Sequence, residues 1–155
     1  MAGGAVPAIR RAGARDADAV AELFVRAHYQ AVPGIPPLAF PDDHVHEWLA
    51  GVIRQGCDAW VAEAESGAVV GFMLLEEDWI AQLYLDPSWT GRGIGARFIE
   101  IAKRRRPDGL QLWTFQSNCG ANRFYERHGF VAEERTDGST NQERTPDVRY
   151  VWRPA

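Results

Sequence analysis

The feature that most constrains the fold is a run of three strand-forming segments separated only by short turns. The segments comprise residues 60–63, 69–75 and 79–85. Glu65-Ser66-Gly67 has the composition of a hairpin turn, and Glu76-Glu77-Asp78 provides a second turn. Strands joined by such turns pair in antiparallel fashion, so the pattern excludes a purely parallel, doubly wound sheet.

The rest of the chain alternates between helical and strand patterns. Apolar residues at three- and four-residue intervals predict helices, and short runs of strand formers predict strands. The predicted elements are a strand at 8–11, helices at 16–32, 42–55, 94–106 and 119–128, and strands at 110–115, 130–135 and 148–152. Together with the hairpin-linked strands they predict a single α/β domain (mixed α+β) over residues 1–155. Its mixed, largely antiparallel central sheet would have about six to seven strands and about four flanking helices.

Two details of the first half can be tested directly. Asp16 is predicted to cap the first helix, and the second helix is predicted to bury one apolar face. The residues of that face are Val45, Trp48, Leu49, Val52 and Ile53. Between the two helices, residues 33–41 contain four prolines and a glycine, which predicts an ordered surface loop.

Charge and hydropathy exclude several classes of protein. The chain has 17 Lys and Arg against 21 Asp and Glu, a net charge of -4, which disfavours a general binder of nucleic acid or anionic membranes. The basic run at 103–106 lies where a helix should end, and there cations complement the helix dipole. No apolar run is long enough to cross a bilayer and no signal peptide is evident, so we expect a cytoplasmic protein.

Neither the cysteines nor the histidines form a metal-binding motif. Cys57 and Cys119 show no CxxC spacing, which argues against both a disulfide framework and a zinc site. The four histidines also fail to match a known ligand pattern. The sequence therefore predicts no metal.

A glycine-rich loop follows the third hairpin strand and opens directly into a helix, within residues 83–95. Backbone N–H groups and the positive end of the helix dipole converge at such a point, which favours a bound anion such as a phosphate. A tight strand-to-helix connection is the alternative explanation for the glycines.

Two common phosphate-binding motifs do not account for this loop. The Walker pattern is absent, because no Lys-Ser or Lys-Thr follows the glycines. Gly91, Gly93 and Ala96 formally match the dinucleotide pattern GxGxxG/A. Three antiparallel strands precede the loop, however, and the acidic residue expected about 20 positions later is missing, so this interpretation is disfavoured.

The combined motifs resemble those of the GNAT superfamily of acyl-CoA-dependent N-acyltransferases. The resemblance rests on Leu83-Tyr84-Leu85-Asp86-Pro87, on Gly91-Arg92-Gly93-Ile94-Gly95, and on the series Asn118, Ala121, Phe124-Tyr125 and Gly129-Phe130. It extends from about Ile9 to Trp152 and implies a GNAT-type sheet. The activity it implies is transfer of an acetyl group from acetyl-CoA to a primary amine.

The resemblance also implies which residues hold the coenzyme. The pyrophosphate would bind at the loop residues Gly91, Arg92, Gly93, Ile94, Gly95 and Ala96, and the pantetheine arm along Leu83, Tyr84 and Leu85. In the family this strand diverges from the next one, here residues 110–115, and so leaves a cleft. Asn118 would cap its helix and contact the coenzyme arm. Thr90 departs from the Arg or Gln of the family pattern.

Tyr125 matches the family residue that protonates the departing thiolate, although a Tyr beside Phe124 on a helix face is otherwise typical of core packing. The general base stays open among residues 76–78, His44 and His46. We expect direct attack by the amine in a ternary complex; the alternative is a non-catalytic acyl-CoA-binding or regulatory module. The acceptor, a small molecule or a peptide, is not identified by the sequence. Dimerisation is common in the family, so a homodimer is compatible with the chain.

Overall fold

The computed structural model describes residues 6–32 and 35–155. They form seven strands and four α-helices, in the order and type that the sequence patterns predict. The elements are β1 (Ala8–Arg11), α1 (Ala17–Ala31), α2 (Asp42–Arg54), β2 (Asp58–Glu63), β3 (Val69–Glu76), β4 (Trp79–Leu85), α3 (Ile94–Arg105), β5 (Leu110–Phe115), α4 (Cys119–Arg127), β6 (Val131–Arg135) and β7 (Asp147–Trp152). Short 3₁₀ turns lie at Ala14–Asp16 and Pro87–Trp89.

All seven strands join one sheet, in the order β1-β2-β3-β4-β5-β7-β6. Every neighbouring pair is antiparallel except β4 and β5, which run parallel because α3 forms the crossover between them. The predicted mixed, largely antiparallel sheet with four flanking helices is therefore confirmed.

The parallel pair diverges soon after it begins. Within the described residues, the one ladder pair that joins β4 to β5 is Trp79 with Gln111. On its other side, β4 pairs with β3 through a register shift that leaves Ala81 as an extra residue, which is a β-bulge. A bulge bends its strand and increases the local twist, and here it lies where β4 turns away from β5. The sheet is therefore split at its centre.

Two apolar cores cover the two faces of the sheet. Helices α1 and α2 pack on one face against β2 and β3, around buried residues such as Leu23, Leu49 and Phe72. Helices α3 and α4 pack on the other face, around residues such as Phe98 and Tyr150. The split between β4 and β5 is thus flanked by a different pair of helices on each face.

Two predictions in the first half were wrong in detail. Trp48 was placed on the buried face of α2, but its side chain is 50% exposed. The buried stripe runs through Val45, Leu49 and Ile53, and Trp48 lies on its flank. Asp16 precedes α1 as predicted, yet its carboxylate makes no side-chain cap of that helix. It instead accepts hydrogen bonds from Arg10 and from the backbone N–H at position 13.

The predicted proline-rich loop at 33–41 is described only in part, since Pro33 and Gly34 lie outside the described residues; positions 35–41 have no helix or strand. None of the helices in the described ranges combines the length and the apolar character that crossing a membrane requires.

Candidate active site

A cleft of about 910 Å³ opens where β4 and β5 diverge. Residues 80–85 of β4 and 112–115 of β5 form its two sides. The start of α3, the inner face of α4 and the second half of α1 complete the lining. The cleft therefore connects the two faces of the sheet at the point where their hydrogen bonding is interrupted.

The glycine loop, residues 90–95, forms one end of this cleft. It begins after a 3₁₀ turn that Asp86 caps, with the Asp86 carboxylate accepting from the Ser88 N–H at 3.0 Å and from its hydroxyl at 2.7 Å. Gly91 and Gly93 then adopt φ values of +74° and +82°. Other residues rarely adopt such left-handed conformations, so these two glycines are required for the chain to enter α3 at this angle.

The loop presents unpaired backbone donors. In the described part of the chain, none of the N–H groups of residues 91–96 donates a hydrogen bond to another protein atom. The first helical bond is that of Arg97 to the Gly93 carbonyl, at 3.2 Å. A Cβ added to Gly91 or Gly93 would meet nothing within 4 Å. The site is thus an open cradle of donors at a helix N-terminus, which fits an anionic group such as a pyrophosphate.

Gly95 lines the cleft and also lies where α3 and α4 come close together. A Cβ at this position would lie 3.0 Å from the Phe124 ring. Gly95 therefore allows α3 and α4 to approach each other closely. The spacing of the two helices fixes the position of the cradle relative to α4.

Arg92 and Thr90 are each held by the loop itself. The Arg92 guanidinium carbon lies 4.6 Å from the centroid of the Trp89 ring, which is a cation–π contact. Of the predicted coenzyme-binding residues, all of which are described, Arg92 is the one that does not line the cleft. The Thr90 hydroxyl donates to the Pro87 carbonyl at 3.0 Å. Thr90, the position that departs from the family pattern, therefore closes the turn before the cradle.

Tyr125 lines the same cleft from α4 and is 8% exposed. Its ring makes edge contacts with Phe124 at 5.2 Å and Phe130 at 5.6 Å. Burial, with a smaller contribution from Tyr84, raises the pKa of Tyr125 above that of an ordinary tyrosine, so the hydroxyl keeps its proton at neutral pH. Asn118, also in the lining, caps α4 by accepting from the Ala121 N–H at 3.3 Å, which confirms its predicted capping role.

The remaining predicted residues lie on β4. Leu83 and Leu85 pack with the α3 and α4 core, whereas the Tyr84 ring points to the other face, stacked on Phe72 at 5.9 Å and edge-on to Phe24 at 4.8 Å. Burial, with a further contribution from the Glu143 carboxylate, raises the pKa of Tyr84 to about 12. The structure thus brings Leu83, Tyr84, Leu85, Gly91, Gly93, Ile94, Gly95, Ala96, Asn118 and Tyr125 together around one cleft.

The wall on the α1 side was predicted only in part, because residues 110–115 were expected to border the cleft but Gln30 was not. We call it the opposite wall, and it consists of Gln30, Ile35, Trp113 and Phe115. Leu110 and Leu112 pack with the α3 and α4 core, so the alternation of β5 directs Trp113 to the other face, where it is 41% exposed. The signal available in the sequence was an aromatic residue, Trp113, at the strand position that alternates with Leu110 and Leu112.

The candidate bases lie outside the cleft lining. At the hairpin turn, the Asp78 carbonyl and carboxylate accept from the backbone and side chain of Gln111, each at 2.9 Å, and so join β4 to β5. His44 and His46 line a separate hollow of about 640 Å³ between α1 and α2. His128 does line the cleft, and burial together with the charges of Lys103 and Arg127 lowers its pKa.

Comparison with known proteins agrees with this geometry. The acetyltransferase (GNAT) domain family matches residues 55–132. The peptidyl-lysine N-acetyltransferase YjaB of Salmonella typhimurium is 36% identical over 106 residues, covering 61% of this chain and 72% of that protein. An uncharacterized N-acetyltransferase of Methanocaldococcus jannaschii is 27% identical over 131 residues, which cover 74% of this chain and 58% of the archaeal protein, little more than half of its length.

The fold also matches solved structures. The PaiA N-acetyltransferase of Thermoplasma acidophilum, solved in complex with coenzyme A, superposes with a TM-score of 0.65 at 20% identity, covering 94% of this chain and 98% of that one. A split, mostly antiparallel sheet with a donor-rich loop at the split is thus a fold that this chain shares with known N-acetyltransferases. The chain belongs to the GNAT family of acyl-CoA-dependent N-acetyltransferases.

Proposed function

We propose that this protein transfers an acetyl group from acetyl-CoA to a primary amine, with the side chain of a peptide lysine as the first acceptor to test. The observation that carries the proposal is that the donor cradle at the start of α3 and the side chain of Tyr125 share one cleft. The lysine acceptor is suggested by the YjaB relative, whose name states that it acts on peptidyl-lysine.

The cradle residues would hold the coenzyme pyrophosphate. The N–H groups of residues 91–96 donate to no other protein atom in the described chain, and Arg92 adds positive charge beside them. Beyond Trp79, β4 has no ladder pairing with β5 in the described chain, so the backbone of Leu83, Tyr84 and Leu85 is available to a pantetheine arm that mimics a strand. Asn118 also lines the cleft. When bound, acetyl-CoA supplies an acetyl group activated as a thioester.

Tyr125 would act as the general acid. Its raised pKa keeps the phenol protonated, so it can donate its proton to the sulfur as the carbon–sulfur bond breaks. The amine nitrogen forms the new bond to the acetyl carbon and releases its own proton to water. Tyr125 then regains a proton from solvent, which balances the cycle without a covalent enzyme intermediate.

The opposite wall would receive the amine. The cradle and Tyr125 belong to the α3 and α4 side, so an acceptor reaches the centre of the cleft from the α1 side, past Ile35 and Trp113.

Release of free thiol tests the proposal. Acetyl-CoA is mixed with a panel containing a lysine peptide, a polyamine and small amino compounds, and we expect amine-dependent thiol release with the lysine peptide. Tyr125→Phe should lower kcat about a hundredfold, since general acid catalysis contributes at least that much, while CoA affinity stays unchanged. Mass spectrometry of the acetylated amine identifies the product.

Tyr150→Phe is the matched control. Tyr150 is also buried in the α3 and α4 core, but its hydroxyl lies within hydrogen-bond distance of two acceptors that share its one proton, Asn122 Oδ1 at 2.9 Å and the Glu126 carboxylate at 2.7 Å. This variant should lose about 1 to 2 kcal/mol of stability and keep its kcat. Binding of CoA without thiol release on any amine, together with no effect of Tyr125→Phe, would instead identify a non-catalytic acyl-CoA-binding module.

A further inference from the structure

The second half of α1 carries a buried histidine that the proposed mechanism does not use. His28 is 5% exposed, and its ring centroid lies 6.1 Å from that of Phe24. Phe24 in turn contacts Tyr84 on β4 at 4.8 Å. His28 therefore belongs to the aromatic group that supports the cleft from behind.

The imidazole is anchored through one nitrogen. Nε2 lies 2.6 Å from the carbonyl oxygen of Pro36. Because a carbonyl oxygen can only accept, Nε2 carries the hydrogen and donates it. Nδ1 is buried and has no hydrogen-bond partner within the described residues. Among the described residues, the Pro36 carbonyl is thus the single hydrogen-bond partner of the His28 side chain.

Pro36 directly follows a residue of the opposite wall. Ile35 is 5% exposed and lines the cleft, and its N–H donates to the Ala31 carbonyl at 3.3 Å, at the long end of the usual range. Pro36 has no N–H of its own to donate. Two hydrogen bonds hold this part of the wall, and the one from His28 to the Pro36 carbonyl is shorter than the one from the Ile35 N–H to the Ala31 carbonyl.

We propose that His28 is a positioning residue for the acceptor: its hydrogen bond to Pro36 holds Ile35 in the opposite wall, and this determines how tightly the wall binds the substrate. His28 acts through Ile35 and does not itself touch the reacting atoms. The inference rests on the proposed function, because it takes the opposite wall as the place where the amine binds.

The wall also indicates what part of the acceptor it contacts. Ile35, Trp113 and Phe115 offer mainly apolar and aromatic surface. Such a surface binds the aliphatic stem behind an amine better than a charged group, and a lysine side chain presents such a stem. If Ile35 is displaced from the opposite wall, acceptor binding should therefore weaken, while the N–H cradle of residues 91–96 should be unaffected.

Steady-state kinetics on a pair of variants test the proposal. His28→Leu removes the donor and keeps a comparable volume, whereas His28→Gln keeps an N–H donor. We expect His28→Leu to raise the KM for a lysine peptide about tenfold and to leave the KM for acetyl-CoA unchanged. His28→Gln should recover most of the loss. Leu49→Ala, a fully buried change in the same core, should lower Tm without changing the acceptor KM.

Hydrogen exchange gives a readout that does not depend on turnover. In His28→Leu the Ile35 amide should exchange about tenfold faster, and exchange in α3 should not change. Unchanged exchange at Ile35 would overturn the role of His28 whatever the kinetics show. Faster exchange with an unchanged acceptor KM would overturn the role in acceptor binding. Absence of turnover by the unmodified protein would overturn the proposed function and, with it, the acceptor role of His28.

Discussion

The two ends of the cleft are built in different ways. The glycine loop offers backbone N–H groups whose positions follow from two left-handed glycines and the start of α3. The opposite wall offers the side chains of Ile35, Trp113 and Phe115, supported from behind by His28. A backbone site depends on few residue identities, whereas a side-chain wall changes with each substitution. One fold can therefore keep the site for its acetyl donor and vary the site for its amine acceptor.

Substitution of Gly93 should give the largest effect, and it tests whether the glycine loop acts through its backbone. Gly93→Ala adds a Cβ that would point into the open cradle, so we expect a loss of at least about tenfold in CoA affinity. The left-handed φ of +82° should also cost about 1 kcal/mol of stability. Isothermal titration with CoA and thermal unfolding measure the two effects separately.

Gly56 provides a closely matched control for this experiment. It has the same φ of +82°, and a Cβ there would also meet nothing within 4 Å, but it follows α2 away from the cleft. Gly56→Ala should lose a similar amount of stability and keep full CoA affinity. Equal CoA affinity in the two variants would show that the backbone cradle is not the donor site.

The sequence was sufficient to predict most of the fold and the glycine loop at one end of the cleft. Hairpin turns, apolar periodicity and glycine spacing are local signals, and the donor loop lies within residues 83–95. In the opposite wall, residues 110–115 were expected beside the cleft, but local signals could not bring positions near 30–35 to them, because the two segments are distant in the chain. The hydrogen bond of His28 to Pro36 and the contact of Gly95 with Phe124 likewise depend on tertiary packing.

Asp86 should show a smaller effect on the donor end. Asp86→Asn weakens the cap on the turn before the glycine loop, which should cost about 1 kcal/mol of stability and raise the Kd for CoA about threefold. The Ser88 hydrogen bond, followed by that of Arg26, lowers the pKa of Asp86. A lowered pKa means that the carboxylate stabilises the fold above about pH 4 and loses this contribution as the pH falls further.

Thermal unfolding of the unmodified protein and of Asp86→Asn over a range of pH checks this sign. The difference in stability between the two should be constant from about pH 7 to pH 5 and should shrink below about pH 4. A difference that grows as the pH falls would contradict the assignment of Asp86 as an ionised cap.

The smallest effect is expected where the two ends of the cleft are joined. Arg26 of α1 forms an ion pair with Asp86 at 3.0 Å, and the Arg26 side chain is half-exposed. Exposed pairs contribute little, so Arg26→Gln should change stability by about 0.5 kcal/mol and should leave both CoA affinity and the acceptor KM unchanged. A double-mutant cycle with Asp86→Asn isolates the pair, and a coupling energy of no more than about 0.5 kcal/mol is expected if the pair is only a local surface contact. A coupling above about 1 kcal/mol, or an acceptor KM that changes in Arg26→Gln, would mean that α1 transmits the state of one end to the other.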